Sequence, residues 1–259
     1  MKEEFYIHNY NHKVNLKNES EPLVSDWGKR FTVIPESITY FEIYRREEYF
    51  KGDCIIKPGD VVVDCGGNVG IFSSVAMDMG ASRVLSFEPY VDNYELNKKN
   101  NPNAEVFNLA VSNKSDDTVE LLYTSTSCGG HTIIASELER EANGHFEHKN
   151  IYIKTITLND IISNNFIEEI DFLKVDTEGA ELLIFEGLSD YNLSKIRCIA
   201  LEYHHNVFNY NEETYSNFQK RFNRLGFNTF TWILDNFTRM LYATRGDVFK
   251  ENTRHKNPK

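Results

Sequence analysis

The sequence feature that most constrains the fold is a run of β-branched residues that leads through an acidic residue into a glycine-rich turn. Residues 61–70 read Val-Val-Val-Asp-Cys-Gly-Gly-Asn-Val-Gly. The next residues, 71–79, carry apolar side chains at helical spacing. The stretch therefore predicts a buried strand, a tight turn and the start of a helix. Glycines in such a turn let the backbone come close to a ligand near the helix N-terminus.

An acidic residue at the end of a second predicted strand narrows the choice of ligand. Glu88 follows residues 84–87 and lies 22 positions beyond Gly66. An acid about 20 residues past the glycines binds a ribose hydroxyl in doubly wound folds. The dinucleotide fingerprint G-x-G-x-x-G would need further glycines where the chain has Asn68 and Ile71. The pattern therefore disfavours a nicotinamide cofactor, and the position of Glu88 disfavours a turn without any ligand.

Composition limits the cellular setting and the partners. A chain of 259 residues forms one domain, or one domain with an extension. Its net charge of −11 opposes nonspecific binding to nucleic acid. Residues 1–20 are polar, so no signal peptide is predicted, and no run approaches the ~18 apolar residues of a membrane span. We therefore expect a cytoplasmic protein with a small-molecule or nucleotide-sugar substrate, no nucleic-acid partner and no membrane span. The sequence leaves the oligomeric state open, with a homodimer among the alternatives.

The remaining chain alternates between predicted strands and helices. Helices are predicted at residues 92–99, 179–185 and 212–225. Together with the strand at 61, strands are predicted at 83–87, 104–111, 170–176, 196–203, 227–234 and 238–244. Seven strands alternating with helices indicate a three-layer α/β sheet. Two segments of period-two alternation, 118–123 and 151–156, predict an additional hairpin around a long loop.

Acidic side chains follow several of the predicted core strands. Because a parallel sheet binds ligands beyond the carboxyl ends of its strands, such side chains are expected to share one rim. Asp64 and Glu88 end the first two strands, Asp176 ends the fourth, and Glu202 and His204 end the fifth. Acids that follow independent strands on the same rim are hard to explain by structure alone, so we expect a functional site there.

Four segments of the chain match, in order, the motifs of one protein family. They are Asp64 to Ser73, Phe87-Glu88-Pro89, Asn108 to Ser112, and Asp171 to Glu181, the last of which contains the specific pattern K-x-D-x-E-G-A-E. The chain therefore resembles the FkbM family of methyltransferases over roughly residues 55–205. The resemblance implies a class I methyltransferase (Rossmann-like) three-layer sandwich. Its seven-stranded, mostly parallel sheet would have an antiparallel last strand, an inserted β-hairpin and an N-terminal extension.

The resemblance also implies a division of the chain and a function. Residues 1–54 would be an extension packed on the core, 55–245 the methyltransferase domain with the hairpin and loop at 118–156, and 246–259 a polar tail. The implied activity is S-adenosylmethionine-dependent O-methylation of a carbohydrate hydroxyl, on a nucleotide-activated or a cell-surface (capsule or lipopolysaccharide) sugar. The alternatives are O-methylation of a polyketide, peptide or lipid natural product and, in a different class, a nucleotide- or sugar-binding module without catalysis.

The motifs carry the expected donor site. By resemblance, the residues predicted to bind S-adenosylmethionine are Asp64, Gly66, Asn68, Gly70, Phe72, Glu88, Pro89, Asn93 and Ala110. On the acceptor side, a sugar hydroxyl is a poor nucleophile at neutral pH, so a base or a metal should activate it. The predicted catalytic residues are Asp176, His204, Lys174 and Glu178, with His204 as a neutral base.

The predicted catalytic residues have competing interpretations. Lys174 can instead form a salt bridge within its motif, and Glu178 and Glu181 can instead interact with the N-terminus of the following helix. Asp176, Glu202 and His204 also offer oxygen and nitrogen ligands suited to Mg or Mn, although no tight ligand motif is present. The predicted substrate contacts are Ser127, His131 and Glu202.

Overall fold

A computed structural model describes most of the chain. The described residues are 23–24, 30–31, 43, 48–124, 132–133, 146–204, 212–234 and 238–245, with the backbone alone at 23–24, 30–31, 123–124 and 146–150. The first two short strands, β1 (Leu23–Val24) and β2 (Arg30–Phe31), pair with each other in antiparallel fashion. No helix among the described residues is long and apolar enough to cross a membrane.

The centre of the fold is the predicted seven-stranded sheet, which the structure confirms. Its strands are β3 (Val61–Cys65), β4 (Arg83–Phe87), β5 (Glu105–Phe107), β9 (Ile170–Val175), β10 (Ile196–His204), β11 (Asn228–Ile233) and β12 (Thr238–Thr244). The strand order is β11-β12-β10-β9-β3-β4-β5. The core strands are parallel, whereas β12 runs antiparallel to both β10 and β11. The carboxyl ends of β3, β4, β9 and β10 therefore meet at one rim.

Helices cover both faces of this sheet and make the fold a three-layer sandwich. They are α1 (Ile71–Asp78), α2 (Val91–Asn100), α3 (Leu158–Asn164), α4 (Glu181–Glu186), α5 (Asp190–Leu193) and α6 (Glu212–Arg224). One apolar cluster joins α1 and residues 49–56 to one face of the sheet. A second cluster joins α3, α4 and α6 to the other face. The central strands read as continuous apolar runs because both of their faces are buried.

The segment predicted as one strand at 104–111 is divided in the structure, and this part of the prediction is wrong. The strand β5 ends at Phe107, and Asn108 Nδ2 then donates to the backbone oxygens of Glu88 and Pro89 at 3.0 and 2.7 Å. After Phe107 the chain no longer pairs with β4 of the main sheet. Its continuation, β6 (Ala110–Val111), pairs with a strand of a second sheet.

The predicted inserted hairpin forms this second sheet. Strands β7 (Thr118–Thr124) and β8 (Phe146–Ile156) pair in antiparallel fashion, and β6 adds to β8 in parallel. The first strand of the hairpin is close to the predicted 118–123, and the second begins earlier than the predicted residue 151. Residues 125–131 and 134–145 of the connecting loop, and the tail 246–259, lie outside the described residues. The division of the chain at 54 and 245 stays a prediction.

Candidate active site

The glycine-rich turn after β3 is folded tightly against the end of β9. Gly66 has φ +81°, and a Cβ atom on it would lie 1.7 Å from the backbone oxygen of Asp176. Gly70, which begins α1, has φ +88°, and a Cβ there would overlap the amides of Asn97 and Asn101. Only glycine fits both positions, since the backbone is left-handed and the neighbouring atoms leave no space.

The carboxylate of Asp64 supports the glycine-rich turn from the buried end of β3. Its side chain is completely buried, and Oδ2 accepts hydrogen bonds from Ser73 Oγ at 2.7 Å and Ser86 Oγ at 3.2 Å. Its Oδ1 lies 3.3 Å from the Nζ atom of Lys174. The carboxylate thus ties β3 to α1, β4 and β9. In this position it fixes the shape of the predicted donor site without being exposed to a ligand.

Lys174 connects the turn to the rim. Its ammonium donates to the backbone oxygen of Gly66 at 2.6 Å and lies 3.3 Å from Asp64 and 3.5 Å from Asp176. Burial alone would lower the pKa of Lys174, but Asp64 and Asp176 raise it more, so that it lies above its usual value. The salt bridge expected as the alternative role is therefore present. A lysine that stays protonated cannot accept a proton, so Lys174 can contribute charge and position but not general-base catalysis.

Three asparagines at the C-terminal end of α2, the last of which directly follows the helix, contact the glycine-rich turn or the strand beside it. Asn97 Nδ2 donates to Ser86 Oγ at 2.9 Å. Asn100 Nδ2 and Asn101 Nδ2 donate to the backbone oxygens of Val69 and Gly70, each at 2.8 Å. All three asparagines are buried. Asn100 thus supplies a donor to the backbone oxygen of Val69, and Asn101 adds a second donor to that of Gly70, which also accepts from Ser74 N.

Glu88 lies beside the turn with both of its oxygens oriented by the backbone. Oε2 accepts from the N–H of Asn68 at 2.7 Å, and Oε1 accepts from the N–H of Tyr90 at 2.8 Å. Each carboxylate oxygen keeps a second lone pair that can accept a ligand hydroxyl. Burial raises the pKa of Glu88 to about 7, although the two backbone hydrogen bonds oppose the shift. Asn68 itself has φ +47°, a left-handed backbone conformation within the turn.

On the other side of the turn, Asp176 and Glu202 lie close together. The hydroxyl of Tyr49 is 2.8 Å from Asp176 Oδ2 and 3.0 Å from Glu202 Oε2. Asp176 and Glu202 are only partly buried, whereas Tyr49 is almost fully buried. The rim predicted from the strand ends therefore brings these two acids together next to Gly66.

His204 is enclosed by carboxylates. Its Nδ1 lies 3.1 Å from Glu181 Oε1, and its Nε2 lies 3.3 Å from Glu178 Oε2 and 4.0 Å from Glu202 Oε1. Burial alone would lower the pKa of His204, but Glu181 and Glu178 outweigh it and hold the pKa well above its usual value. The expectation of a neutral imidazole at this position therefore disagrees with the structure. An imidazolium between carboxylates is a donor and a positive charge, not a base.

Glu181 organises the loop before α4. Its Oε1 accepts from Thr177 N at 3.2 Å, from Thr177 Oγ1 at 3.1 Å and from Gly179 N at 2.9 Å. Between these two residues, Glu178 adopts φ +54°, a left-handed conformation that is unfavourable for a side chain with a Cβ. The buried carboxylate of Glu181 holds this loop in place, and the loop in turn directs Glu178 toward His204. Glu181 lies in the first turn of α4, where its interaction with the helix N-terminus was predicted, and its carboxylate also contacts His204.

Three side chains of the rim could hold a divalent cation. One ligand atom from each of Asp176, Glu202 and His204 lies within 4.8 Å of the others. Two oxygens and one imidazole nitrogen suit Mn or Mg. The contact of His204 Nδ1 with Glu181 resembles the carboxylate that orients a metal-binding histidine through its other nitrogen. These three ligand atoms therefore fit a divalent cation, and the Nε2 atom of His204 lies 4.0 Å from Glu202 Oε1.

Most of the remaining predicted donor residues are buried. Phe72 packs against Phe50 and Phe172, and its side chain is buried. Asn93 and Ala110 are also buried, whereas Pro89 is partly exposed. Their roles in donor binding stay predictions. The predicted substrate residues Ser127 and His131 lie outside the described residues.

Sequence reasoning missed two groups of site residues. Asn97, Asn100 and Asn101 follow the predicted donor residue Asn93 at helical spacing, and this spacing is a signal that the sequence contains. Tyr49 lies outside the motifs and is 127 and 153 residues from Asp176 and Glu202, and nothing around it predicts contact with these acids.

Comparison with known proteins identifies the family of the chain. The family profile of the Methyltransferase FkbM domain matches residues 64–229, which is more than half of the chain. The match begins at Asp64 and includes Glu88, Asp176, Glu202 and His204. A solved structure of methyltransferase FkbM from Methylobacillus flagellatus is 16% identical with a TM-score of 0.49, and the alignment covers 79% of this chain and 47% of that one.

Curated relatives share about a quarter of their aligned residues with the chain. The 31-O-demethyl-FK506 methyltransferase FkbM of Streptomyces tacrolimicus is 27% identical, with 64% of this chain and 73% of that protein covered. The hexuronic acid methyltransferase AglP of Haloferax volcanii is 26% identical, with 71% of this chain and 74% of that protein covered. The AMB antimetabolite synthetase AmbE of Pseudomonas aeruginosa is 25% identical, but the chain spans only 9% of its length. The profile match establishes that the chain belongs to the FkbM family of S-adenosylmethionine-dependent methyltransferases.

Proposed function

We propose that the chain transfers a methyl group from S-adenosylmethionine to a hydroxyl of a carbohydrate, either a nucleotide-activated or a cell-surface sugar. The observation that carries this proposal is the position of the acids of the rim. Asp176 lies directly beside Gly66 of the donor turn, with Glu202 next to it on the neighbouring strand. A donor held by the turn and an acceptor held by the rim would therefore be adjacent.

The chemistry of the rim favours an acceptor rich in hydroxyl groups. Carboxylates are strong acceptors and can bind neighbouring hydroxyls of a sugar ring at the same time. The relative AglP carries the name of a hexuronic acid methyltransferase, which is consistent with a sugar acceptor. The relative FkbM is named for the methylation of an FK506 derivative, which supports the alternative of another small molecule such as a polyketide, peptide or lipid.

The residues of the turn fit the donor. When bound, S-adenosylmethionine supplies a methyl group attached to a positively charged sulfur. Glu88 would accept hydrogen bonds from the two ribose hydroxyls, because its backbone contacts leave a free lone pair on each oxygen. Gly66 and Gly70 let the turn pack directly against Asp176 and against the amides of Asn97 and Asn101. Lys174 and Asn100 hold the turn in this shape through its backbone oxygens.

Asp176 is the group best placed to accept the proton of the acceptor hydroxyl. It is partly exposed, and it is held in position by Tyr49 and Lys174. His204 is already engaged as a donor to Glu181 and Glu178, so it would orient these acids and compensate their charge. Holding the hydroxyl oxygen about 3 Å from the methyl carbon would supply much of the remaining rate acceleration.

A divalent cation on the rim is the second arrangement that the geometry supports. Asp176, Glu202 and His204 would hold it, and an Mg or Mn ion there would lower the pKa of a bound hydroxyl. His204 would then have to lose a proton and its contact with Glu178. The metal requirement, the cytoplasmic location and the homodimer stay predictions.

Release of S-adenosylhomocysteine from a panel of acceptors tests the proposed function. The panel contains nucleotide sugars, free and polymeric uronic acids, and macrolide and peptide acceptors, each with and without EDTA. Transfer to a sugar that persists in EDTA supports the metal-free arrangement, and loss that is restored by Mg or Mn supports the cation. Transfer to the macrolide or peptide acceptors alone would contradict the carbohydrate proposal.

We expect Glu88→Ala to weaken donor binding by about 30–100-fold while the protein stays folded. The loss corresponds to roughly 2–3 kcal/mol for charge-assisted hydrogen bonds to the ribose. Calorimetric titration with S-adenosylhomocysteine measures the dissociation constant, and circular dichroism checks the fold. The matched control is Glu105→Ala, which removes an exposed acid at the next strand that pairs with Arg83. An unchanged dissociation constant for Glu88→Ala would contradict the assignment to the ribose.

Donor affinity is expected to rise with pH, because Glu88 must be ionised to accept both ribose hydroxyls. With a pKa of about 7, affinity for S-adenosylhomocysteine should be roughly tenfold lower at pH 6 than at pH 8. The raised pKa also affects the stability of the ligand-free protein, because the folded state binds the proton of Glu88 more tightly than the unfolded state does. The contribution of Glu88 to the free energy of unfolding is fully present below about pH 4.5 and is lost as the pH rises through 7. Calorimetry across this range should show the slope in the wild type and a flat profile in Glu88→Gln.

A further inference from the structure

Tyr49 makes an unusual contact, because one hydroxyl reaches two acids on neighbouring strands. It lies 2.8 Å from Asp176 Oδ2 and 3.0 Å from Glu202 Oε2. Asp176 follows β9, and Glu202 lies within β10, which is the parallel neighbour of β9. Tyr49 precedes the family match, which starts at residue 64. A residue outside the family domain thus contacts the two central acids of the rim.

A phenol has a single proton, so it cannot donate fully to two carboxylates at once. The hydroxyl must donate to one acid while sharing or exchanging its proton with the other. Without it, the two carboxylates would face each other as like charges and would favour rotamers that separate them. The phenol itself stays a donor, since burial and then the charges of Asp176 and Glu202 raise its pKa well above the usual value.

The ring of Tyr49 is held rigidly enough to fix the position of this hydroxyl. It is 4% exposed and packs edge-to-face on Phe72 with ring centroids 5.5 Å apart. The ammonium of Lys174 lies 5.4 Å from the ring centroid. The next residue, Phe50, stacks on Phe72 and also contacts Phe172 of β9. Tyr49 is therefore anchored to the same core that carries the donor turn.

We infer that Tyr49 is a positioning residue, which holds the carboxyl groups of Asp176 and Glu202 together for the methyl-transfer reaction. The inference rests on the proposed function for its catalytic consequence. Its structural part, the arrangement of the two carboxyl groups, can be examined independently. Displacement of a reacting group by 1 Å can lower a rate by about a hundredfold, so a modest change at the rim would be measurable in kcat.

The test is Tyr49→Phe, which keeps the ring contacts and removes only the hydroxyl. The matched control is Tyr215→Phe, because Tyr215 is equally buried and its hydroxyl pairs with Thr231 on β11, away from the acids. Crystal structures of the wild type and both variants give the positions of the two carboxyl groups. Steady-state kinetics with an acceptor that the panel of the previous subsection identifies give kcat and KM, and calorimetry gives the affinity for S-adenosylhomocysteine.

We expect the carboxyl groups to move apart by about 1 Å or more in Tyr49→Phe and to stay in place in Tyr215→Phe. The value of kcat should fall by about 10–100-fold in Tyr49→Phe, with donor affinity within about threefold of the wild type. Unmoved carboxyl groups, or an unchanged kcat despite their movement, would overturn the inference. Absence of methyl transfer by the wild type would instead refute the proposed function, and the crystal structures would still decide what Tyr49 holds.

Discussion

Replacing Lys174 with methionine is expected to lower the free energy of unfolding by about 3–5 kcal/mol, the usual cost of removing one partner from a buried ion pair. Methionine fills a similar volume, so the main loss is that of charge. Asp64 would remain completely buried with a carboxylate oxygen that faces no cation, and the backbone oxygen of Gly66 would lose its donor. Chemical denaturation with urea measures the change.

Two further variants separate charge from packing. Lys98→Met removes an exposed lysine from α2 and should change stability by no more than about 0.5 kcal/mol. The double variant Asp64→Asn, Lys174→Met removes both buried charges and should therefore be more stable than Lys174→Met alone. Comparison with both single variants in a double-mutant cycle measures the coupling energy of the pair. If Lys174→Met is as stable as Lys98→Met, the ion pair is not what holds the turn to β9.

Much of the fold follows from local patterns in the sequence. The valines of β3 and the apolar runs of β9 and β10 predict a parallel sheet because strands buried on both faces require continuous apolar residues. The strand at 104–111 was predicted as one element because its apolar residues run on past Phe107. The interruption depends on where Asn108 finds its backbone acceptors, which only the packed structure determines.

The candidate site also has a part that the sequence predicts and a part that only the folded structure shows. Gly66, Glu88 and Asp176 were predictable because each stands at a fixed place relative to a strand end. The ionisation of His204 was not predictable, since it depends on Glu178 and Glu181 folding back over the start of α4. Tyr49 was missed because its partners are 127 and 153 residues away along the chain. Contacts of that range leave no trace in local spacing.

The largest expected effect on turnover is that of Asp176→Asn, which should lower kcat by at least about a hundredfold. Loss of a general base typically costs 10²–10⁴-fold in rate. Asparagine keeps the shape of the side chain and can still accept the hydrogen bond from Tyr49, but it cannot take a proton from a hydroxyl. Donor affinity should stay within a few-fold of the wild type, because Glu88 and the turn are untouched.

The matched control for this prediction is Asp171→Asn. Asp171 lies near the start of β9, the strand that Asp176 follows. Its carboxylate accepts from Val61 N at 2.8 Å and pairs with Arg197 at the opposite end of the sheet from the rim. Its replacement should lower stability and leave kcat within a few-fold of the wild type. Steady-state kinetics with and without EDTA compare the two variants. Because Asp176 serves as base in one arrangement and as cation ligand in the other, both require a large loss for Asp176→Asn, whereas equal rates for the two variants would mean that the acids of the rim do not activate the acceptor.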